Sequence, residues 1–111
     1  MERPLDRLKR KVEVENLWLF ILKLLSEKKR CGKEIREEVT QRFGFWIGNV
    51  TAYKVLYLLE RSKYITSKKL GKRRMYELTA KGKRELEEAL SYLRSILSRL
   101  GQELHSLRKS K

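Results

Sequence analysis

The apolar period of the chain changes twice between residues 49 and 82, NVTAYKVLYLLERSKYITSKKLGKRRMYELTAKG. Ala52, Val55, Leu56 and Leu59 recur at helical spacing and predict an amphipathic helix with one buried stripe. Tyr64 to Leu70 then reads as a strand, Gly71 and Lys72 as a turn, and Arg74 to Leu78 as the return strand. Thr79 is placed to cap a further helix. Helix, hairpin and helix with almost no intervening chain leave few architectures open.

Upstream, residues 5 to 27 predict one long helix. Leu17, Phe20, Ile21, Leu24 and Leu25 form its apolar face, and Trp18, Leu19 and Leu22 widen it. Its charged front part, Pro4 to Glu15, is expected to extend as an arm, with Pro4 in the first turn. Lys28 to Gly32 reads as a basic connector. A second helix opens at Gly32, carries Ile35, Val39 and Phe43 inward, and ends at Gly44. Phe45 to Ile47 reads as a short apolar link or a bridge of strand, and Asn49 as the N-cap of the third helix.

Downstream, Leu86, Leu90, Leu93, Leu97, Leu100, Leu104 and Leu107 follow one another at intervals of 4, 3, 4, 3, 4 and 3 residues. That is a heptad seam. It either pairs with a second copy or packs on the chain's own core; the length of the helix beside so small a body favours the dimer. Gly101 interrupts the helix without shifting the register. His105 lies between heptad positions.

Charge narrows the partner. Twenty-eight Lys and Arg against 14 Asp and Glu give a formal net charge of +14 in 111 residues. Such an excess favours a polyanion, either nucleic acid or an anionic membrane surface. Seven cations and no acid lie between Arg61 and Tyr76. No stretch of about 18 apolar residues is present to span a bilayer. The start lacks the apolar core of a secretory signal, so the expected compartment is the cytoplasm. One Cys, one His and no clustered carboxylates offer no metal site, no cofactor is implied, and no nucleophile or phosphate-loop motif marks an enzyme. Cys31, beside Lys29 and Arg30, is either a redox-sensing thiol or a small residue at a helix start. The pairs Glu37 and Glu38, and Glu87 and Glu88, read as solvated helix faces.

The fold expected is mainly α with a small β-hairpin wing: a winged helix-turn-helix with a long C-terminal dimerisation helix. Residues 1–79 would form the winged-helix DNA-binding region with its N-terminal extension, and residues 80–111 the dimerisation helix, in one compact domain. In such an arrangement the third helix enters a DNA groove while the hairpin lies on phosphates.

The segment TAYKVLYLLERSKYI, the basic wing and MYELTAKGKREL resemble the PadR-type transcriptional regulators. Thr51, Tyr53, Leu56, Leu59, Glu60 and Ile65 match the first part of that family's pattern, and Tyr76, Leu78, Thr79 and Gly82 the second. Gly32, Glu34 and Ile35 match its second-helix start. Lys63 stands where the family usually has glycine, Tyr57 and Leu58 where it often has Arg or Lys, and Met75 at an aromatic position. The resemblance implies a homodimer on operator DNA, often a repressor, joined by the terminal helix against the partner's first helix. Some members release DNA on binding planar aromatic compounds, so a small aromatic effector is raised but not assigned.

Candidate contacts follow from side-chain chemistry. Asn49, Thr51, Tyr53, Lys54 and Tyr57 are placed for the groove, since Asn and Lys pair with base edges and Thr offers a methyl to thymine. Asn49 has the alternative of capping, and Tyr53 of being half core. Lys68, Lys69, Lys72, Arg73 and Arg74 are placed for phosphates, with Arg73 or Arg74 able to enter a minor groove. Lys33 is placed for a phosphate near the second helix start. Trp18 and Trp46 either line an effector pocket between subunits or serve as core and interface. The competing functions are a non-specific architectural nucleic-acid binder and a winged helix used for protein contact.

Overall fold

The computed structural model describes the backbone of residues 2–109 and the side chains of residues 2–101. The side chains of Leu104, His105 and Leu107 therefore lie outside the described residues. The elements run α1 (Pro4–Glu13), α2 (Leu17–Glu27), β1 (Arg30–Cys31), α3 (Gly32–Glu38), a π-helical turn (Val39–Phe43), α4 (Asn49–Arg61), β2 (Ile65–Leu70), β3 (Arg73–Leu78) and α5 (Ala80–Lys109). The three strands form one antiparallel sheet in the order β1-β3-β2. The mainly helical winged helix-turn-helix expected from the sequence is the fold observed.

The core lies where α2, α3 and α4 meet the inner face of the sheet. Ile21, Leu24, Ile35, Leu56 and Ile65 are all buried there. Leu86 of α5 joins this core, and α5 packs mainly along α2. Burying a side chain of this size fully is worth roughly 1.5–3 kcal/mol. This shared cluster holds the three helices in fixed relation.

Four local expectations are corrected. The predicted helix over 5–27 is two helices. Asn16 breaks it: its Nδ2 donates to the Lys11 carbonyl at 2.8 Å and its Oδ1 accepts from Trp18 Nε1 at 3.3 Å. Side-chain bonds of this kind compete with helix propagation. Asn49 is not the N-cap; Gly48 holds that position in extended backbone, and Asn49 is the first helical residue. Phe45 to Ile47 is not strand. Phe20 takes Phe43 and Phe45 edge-on, at ring-centroid distances of 4.9 and 5.0 Å, which pins this link onto α2. Finally, the basic connector contains β1, with Arg30 opposite Tyr76 and Cys31 opposite Met75.

Arg30 is not a solvated cation. It is 6% exposed. Its Nε donates to the Leu24 carbonyl at 3.2 Å and its Nη2 to Glu27 at 2.9 Å. Arg42 grips the same carboxylate through both Nη atoms. Glu38, read as solvated, lies 3.9 Å from Arg30 and 3.8 Å from Arg42. This cluster joins the end of α2 to β1 and to the π-helical turn.

Chiefly through the Arg42 hydrogen bonds, against a desolvation cost, the Glu27 carboxyl is lowered from 4.5 to about 2. A carboxyl held this low binds its proton less readily folded than unfolded. Its stabilisation is full above the unfolded value and is lost as pH falls towards 2. Glu27→Gln is therefore expected to flatten the fall in denaturation midpoint between pH 4.5 and about 2. An unchanged acid limb would contradict the assignment. Glu34, lowered first by the Cys31 backbone N–H, leaves a residual slope.

Lys63, at the position where a glycine was expected, has φ 65°. The backbone keeps the left-handed geometry that glycine adopts freely. A lysine there is strained by about 1–2 kcal/mol. Allowing for the extra freedom of glycine in the unfolded chain, Lys63→Gly should raise stability by about 0.5–1 kcal/mol. Chemical denaturation checks this, and a loss of stability would show that the Lys63 side chain holds the turn.

Candidate nucleic-acid interface

The helix-turn-helix consists of α3 with its π-helical turn, the link 44–48, and α4. Gly44, at φ 77°, ends the first helix in the left-handed conformation. The buried side of α4 is Ala52, Leu56 and Leu59. The opposite side carries Asn49, Thr51, Tyr53, Lys54 and Tyr57, all exposed. The five residues expected in the groove thus stand on the solvent side of one helix.

Two of these have internal roles as well. Tyr53 packs over the start of α3, where a Cβ added to Gly32 would come within 2.6 Å of its hydroxyl. Gly32 is what permits this approach, and the ring locks α4 against α3. The Tyr57 hydroxyl accepts from Arg61 Nη1 at 3.4 Å. Lys33, the second residue of α3, is exposed and reaches Glu37 at 3.9 Å.

The wing is β2, the turn and β3. Gly71, the first central residue of the two-residue turn, has φ 62° and supplies the conformation that a type II′ hairpin requires. Register pairs Lys69 with Arg74, Leu70 with Arg73 and Lys68 with Met75. Alternation therefore places Lys69 and Arg74 on one face and Lys68 and Arg73 on the other, with Lys72 at the tip. Among the described residues no ion pair engages Lys54, Lys68, Lys69, Lys72 or Arg73.

Arg74 differs. Its Nη1 donates to Ser67 Oγ at 3.0 Å, and that hydroxyl donates to Glu60 of α4 at 2.6 Å. The chain Arg74–Ser67–Glu60 fixes the wing against the end of α4. Composition could not reveal it, because it depends on strand register.

The other end of the wing is fixed to α5. Thr79 Oγ1 lies 2.7 Å from the Lys63 carbonyl oxygen and 2.9 Å from that of Tyr64, and it accepts the Gly82 N–H at 3.0 Å. The expected cap is present. Lys81 Nζ donates to the Ser62 carbonyl at 2.8 Å and sits 4.5 Å from the centre of the Tyr64 ring.

The leucine seam divides. Leu86 is buried and Leu90 is partly buried against the chain's own core. Leu93, Leu97 and Leu100 are 39%, 67% and 56% exposed. The apolar residues of α1, Leu5, Leu8 and Val12, are likewise exposed. Trp18 and Trp46 do not share a cavity within one chain. Trp18 lines a groove of about 410 Å³ with Val55, Leu58 and Tyr64, whereas Trp46 lines a separate hollow of about 250 Å³ with Arg36, Thr40 and Gln41. Cys31 is buried at the start of α3, where its N–H donates to Glu34 at 3.0 Å. Among the described residues no helix is long and apolar enough to cross a membrane, and no cluster of potential metal ligands occurs.

Comparison with known proteins gives the fold its context. The sequence model described as the transcriptional regulator PadR-like family matches residues 21–88. A transcriptional regulator from Clostridium thermocellum superposes with a TM-score of 0.74 at 22% identity, covering 83% of this chain and 96% of that one. A PadR family transcription regulator from Clostridium difficile gives 0.71 at 28% identity, over 78% and 96%. Bacillus subtilis PadR in complex with operator DNA gives 0.60 at 28% identity, over 67% of this chain and 45% of that one.

Proposed function

This chain belongs to the PadR-like family of transcriptional regulators, and on that premise we propose that it is a homodimeric repressor that occupies operator DNA. The observation that carries the reading is the juxtaposition of two surfaces. The exposed side of α4 offers Thr51, Lys54 and Asn49 to base edges, while Lys68, Lys69, Lys72 and Arg73 stand on the wing beside it with no ion-pair partner among the described residues. Tyr53 and Tyr57 add contact area on the same helix. Arg74 is a phosphate ligand only through the part of its guanidinium that Ser67 leaves free. Lys33 is a backbone contact from α3.

The dimer reading rests on unpartnered apolar surface. Thirty residues of α5 extend roughly 45 Å, more than the body behind them covers. Leu93, Leu97 and Leu100 of the seam face solvent, as does the apolar side of α1. Leu86 and Leu90 serve the chain's own core, so the surface offered to a partner begins at Leu93. Two-fold pairing would set the two α4 helices about 34 Å apart, on successive major grooves. Blocking a promoter by occupancy then needs no catalysis.

Selection of bound sites from a random duplex library tests the whole reading. An inverted repeat with half-sites one helical turn apart is the expected result. Uniform coverage without a selected sequence would replace the regulator with an architectural binder. Sedimentation as a monomer at micromolar concentration would remove the dimer.

A further inference from the structure

Trp46 and Val50 are the two most exposed large apolar side chains among the described residues, at 77% and 84%. They bracket Gly48, the N-cap of α4. Neither belongs to α1 or α5, so pairing along those helices does not account for them. The hollow that Trp46 lines is made by α3, its π-helical turn and Ile47. Its ring is held close to the chain: a Cβ at Gly48 would meet Trp46 Cη2 at 3.4 Å. Val50 is three and four residues before Tyr53 and Lys54, and so shares their face of the helix.

We propose that Val50 and Trp46 form an apolar reading surface for the 5-methyl groups of thymine. The inference rests on the DNA-binding reading above and names what that site recognises. Residues at the start of a recognition helix are the ones that reach base edges. In the major groove the only apolar feature of a base pair is the thymine methyl. Val50 has no donor or acceptor, so burying such a methyl is the one discrimination it can make. Trp46 extends the same apolar surface beyond the helix start. The cations of the wing, a stretch without an acid between Arg61 and Tyr76, attract the duplex, and the one carboxylate that lines the Trp46 hollow, Glu37, lies 3.9 Å from Lys33.

The test uses the full-length protein and its best selected duplex, with each thymine replaced singly by uracil, which removes the methyl and nothing else. Wild-type protein should bind about fourfold more weakly at one or more positions in each half-site, the effect of one lost buried methyl. Val50→Ala and Trp46→Ala should bind the thymine and uracil duplexes equally while keeping the wild-type salt dependence. Both side chains are exposed, and circular dichroism of the variants should match the parent. Wild-type affinity unchanged by every uracil overturns the proposal and leaves the DNA-binding reading intact. A thymine preference that survives both substitutions also overturns it. Failure to select any duplex removes the regulator reading and this proposal with it.

Discussion

Gly82→Ala is expected to lower the thermal midpoint by on the order of 10–20 °C, the reverse of what helix propensity predicts. Gly82 is the third residue of α5. Replacing a helical glycine by alanine ordinarily stabilises by up to about 1 kcal/mol. Here the added Cβ would lie 2.0 Å from the Tyr64 carbonyl oxygen and 2.7 Å from Leu78 Cδ1. Backbone cannot swing aside as a flexible side chain can, so α5 must withdraw from the turn. Withdrawal strains the bonds from Thr79 N and Oγ1 to Tyr64, at 3.2 and 2.9 Å, and from Lys81 to Ser62. Overpacking costs about 1–3 kcal/mol, and each weakened hydrogen bond about 1 kcal/mol. A loss of about 3 kcal/mol corresponds to that fall in midpoint for a domain of this size. Thermal unfolding followed by circular dichroism, at fixed protein concentration, provides the check. A midpoint that holds or rises would mean that α5 is not seated against this turn.

The same junction explains why parts of the architecture are readable from the sequence alone. The α4 stripe, the Gly71 turn, the Thr79 cap and the leucine spacing are local signals, each contained within one element or one turn. Leu78, Thr79 and Gly82 of the family pattern build this contact with the turn at Tyr64, and Tyr76 is buried in the core beside it. Lys63 departs from the pattern, yet the backbone keeps the glycine conformation with φ 65°. What escaped was non-local. Two residues of β1 carry no period, and only their pairing with β3 makes them a strand. Arg30 reads as one more surface cation until Glu27 and the Leu24 carbonyl enclose it. Asn16 broke a helix whose apolar pattern runs through it unbroken. At the candidate interface the wing cations were legible from the acid-free run between Arg61 and Tyr76. The tie of Arg74 to Ser67 and Glu60 was not, because it depends on which residues face each other across the hairpin. Val50 draws no reading of its own and Trp46 reads as an effector-pocket or core residue, because neither pattern nor composition reveals how far an apolar side chain stands in solvent.

Neutralising the wing, with Lys68, Lys69, Arg73 and Arg74 all replaced by Gln, is expected to weaken binding to every duplex by on the order of 10²–10³-fold at physiological salt. Each phosphate contact releases a counterion and contributes about 0.9 to the slope of log affinity against log salt. Four lost contacts would flatten that slope by roughly 3 to 4. Arg74 contributes less if Ser67 keeps its guanidinium. The free hairpin should not suffer. Lys69 stands directly opposite Arg74, and like charges facing each other across a strand pair are destabilising. Removing that pair offsets the packing of the long side chains and the one exposed hydrogen bond from Arg74 to Ser67, while the bond from Ser67 to Glu60 stays in place. The stability of the variant in urea should therefore stay near that of the parent while its affinity collapses. Because phosphates carry no sequence information, the loss should be equal on selected and random duplexes. Titrations by fluorescence anisotropy across a salt series read both quantities at once. A slope that changes by less than about 1 would place the phosphate contacts elsewhere. A loss confined to the selected duplex would turn the wing into a reader of bases rather than a clamp on the backbone.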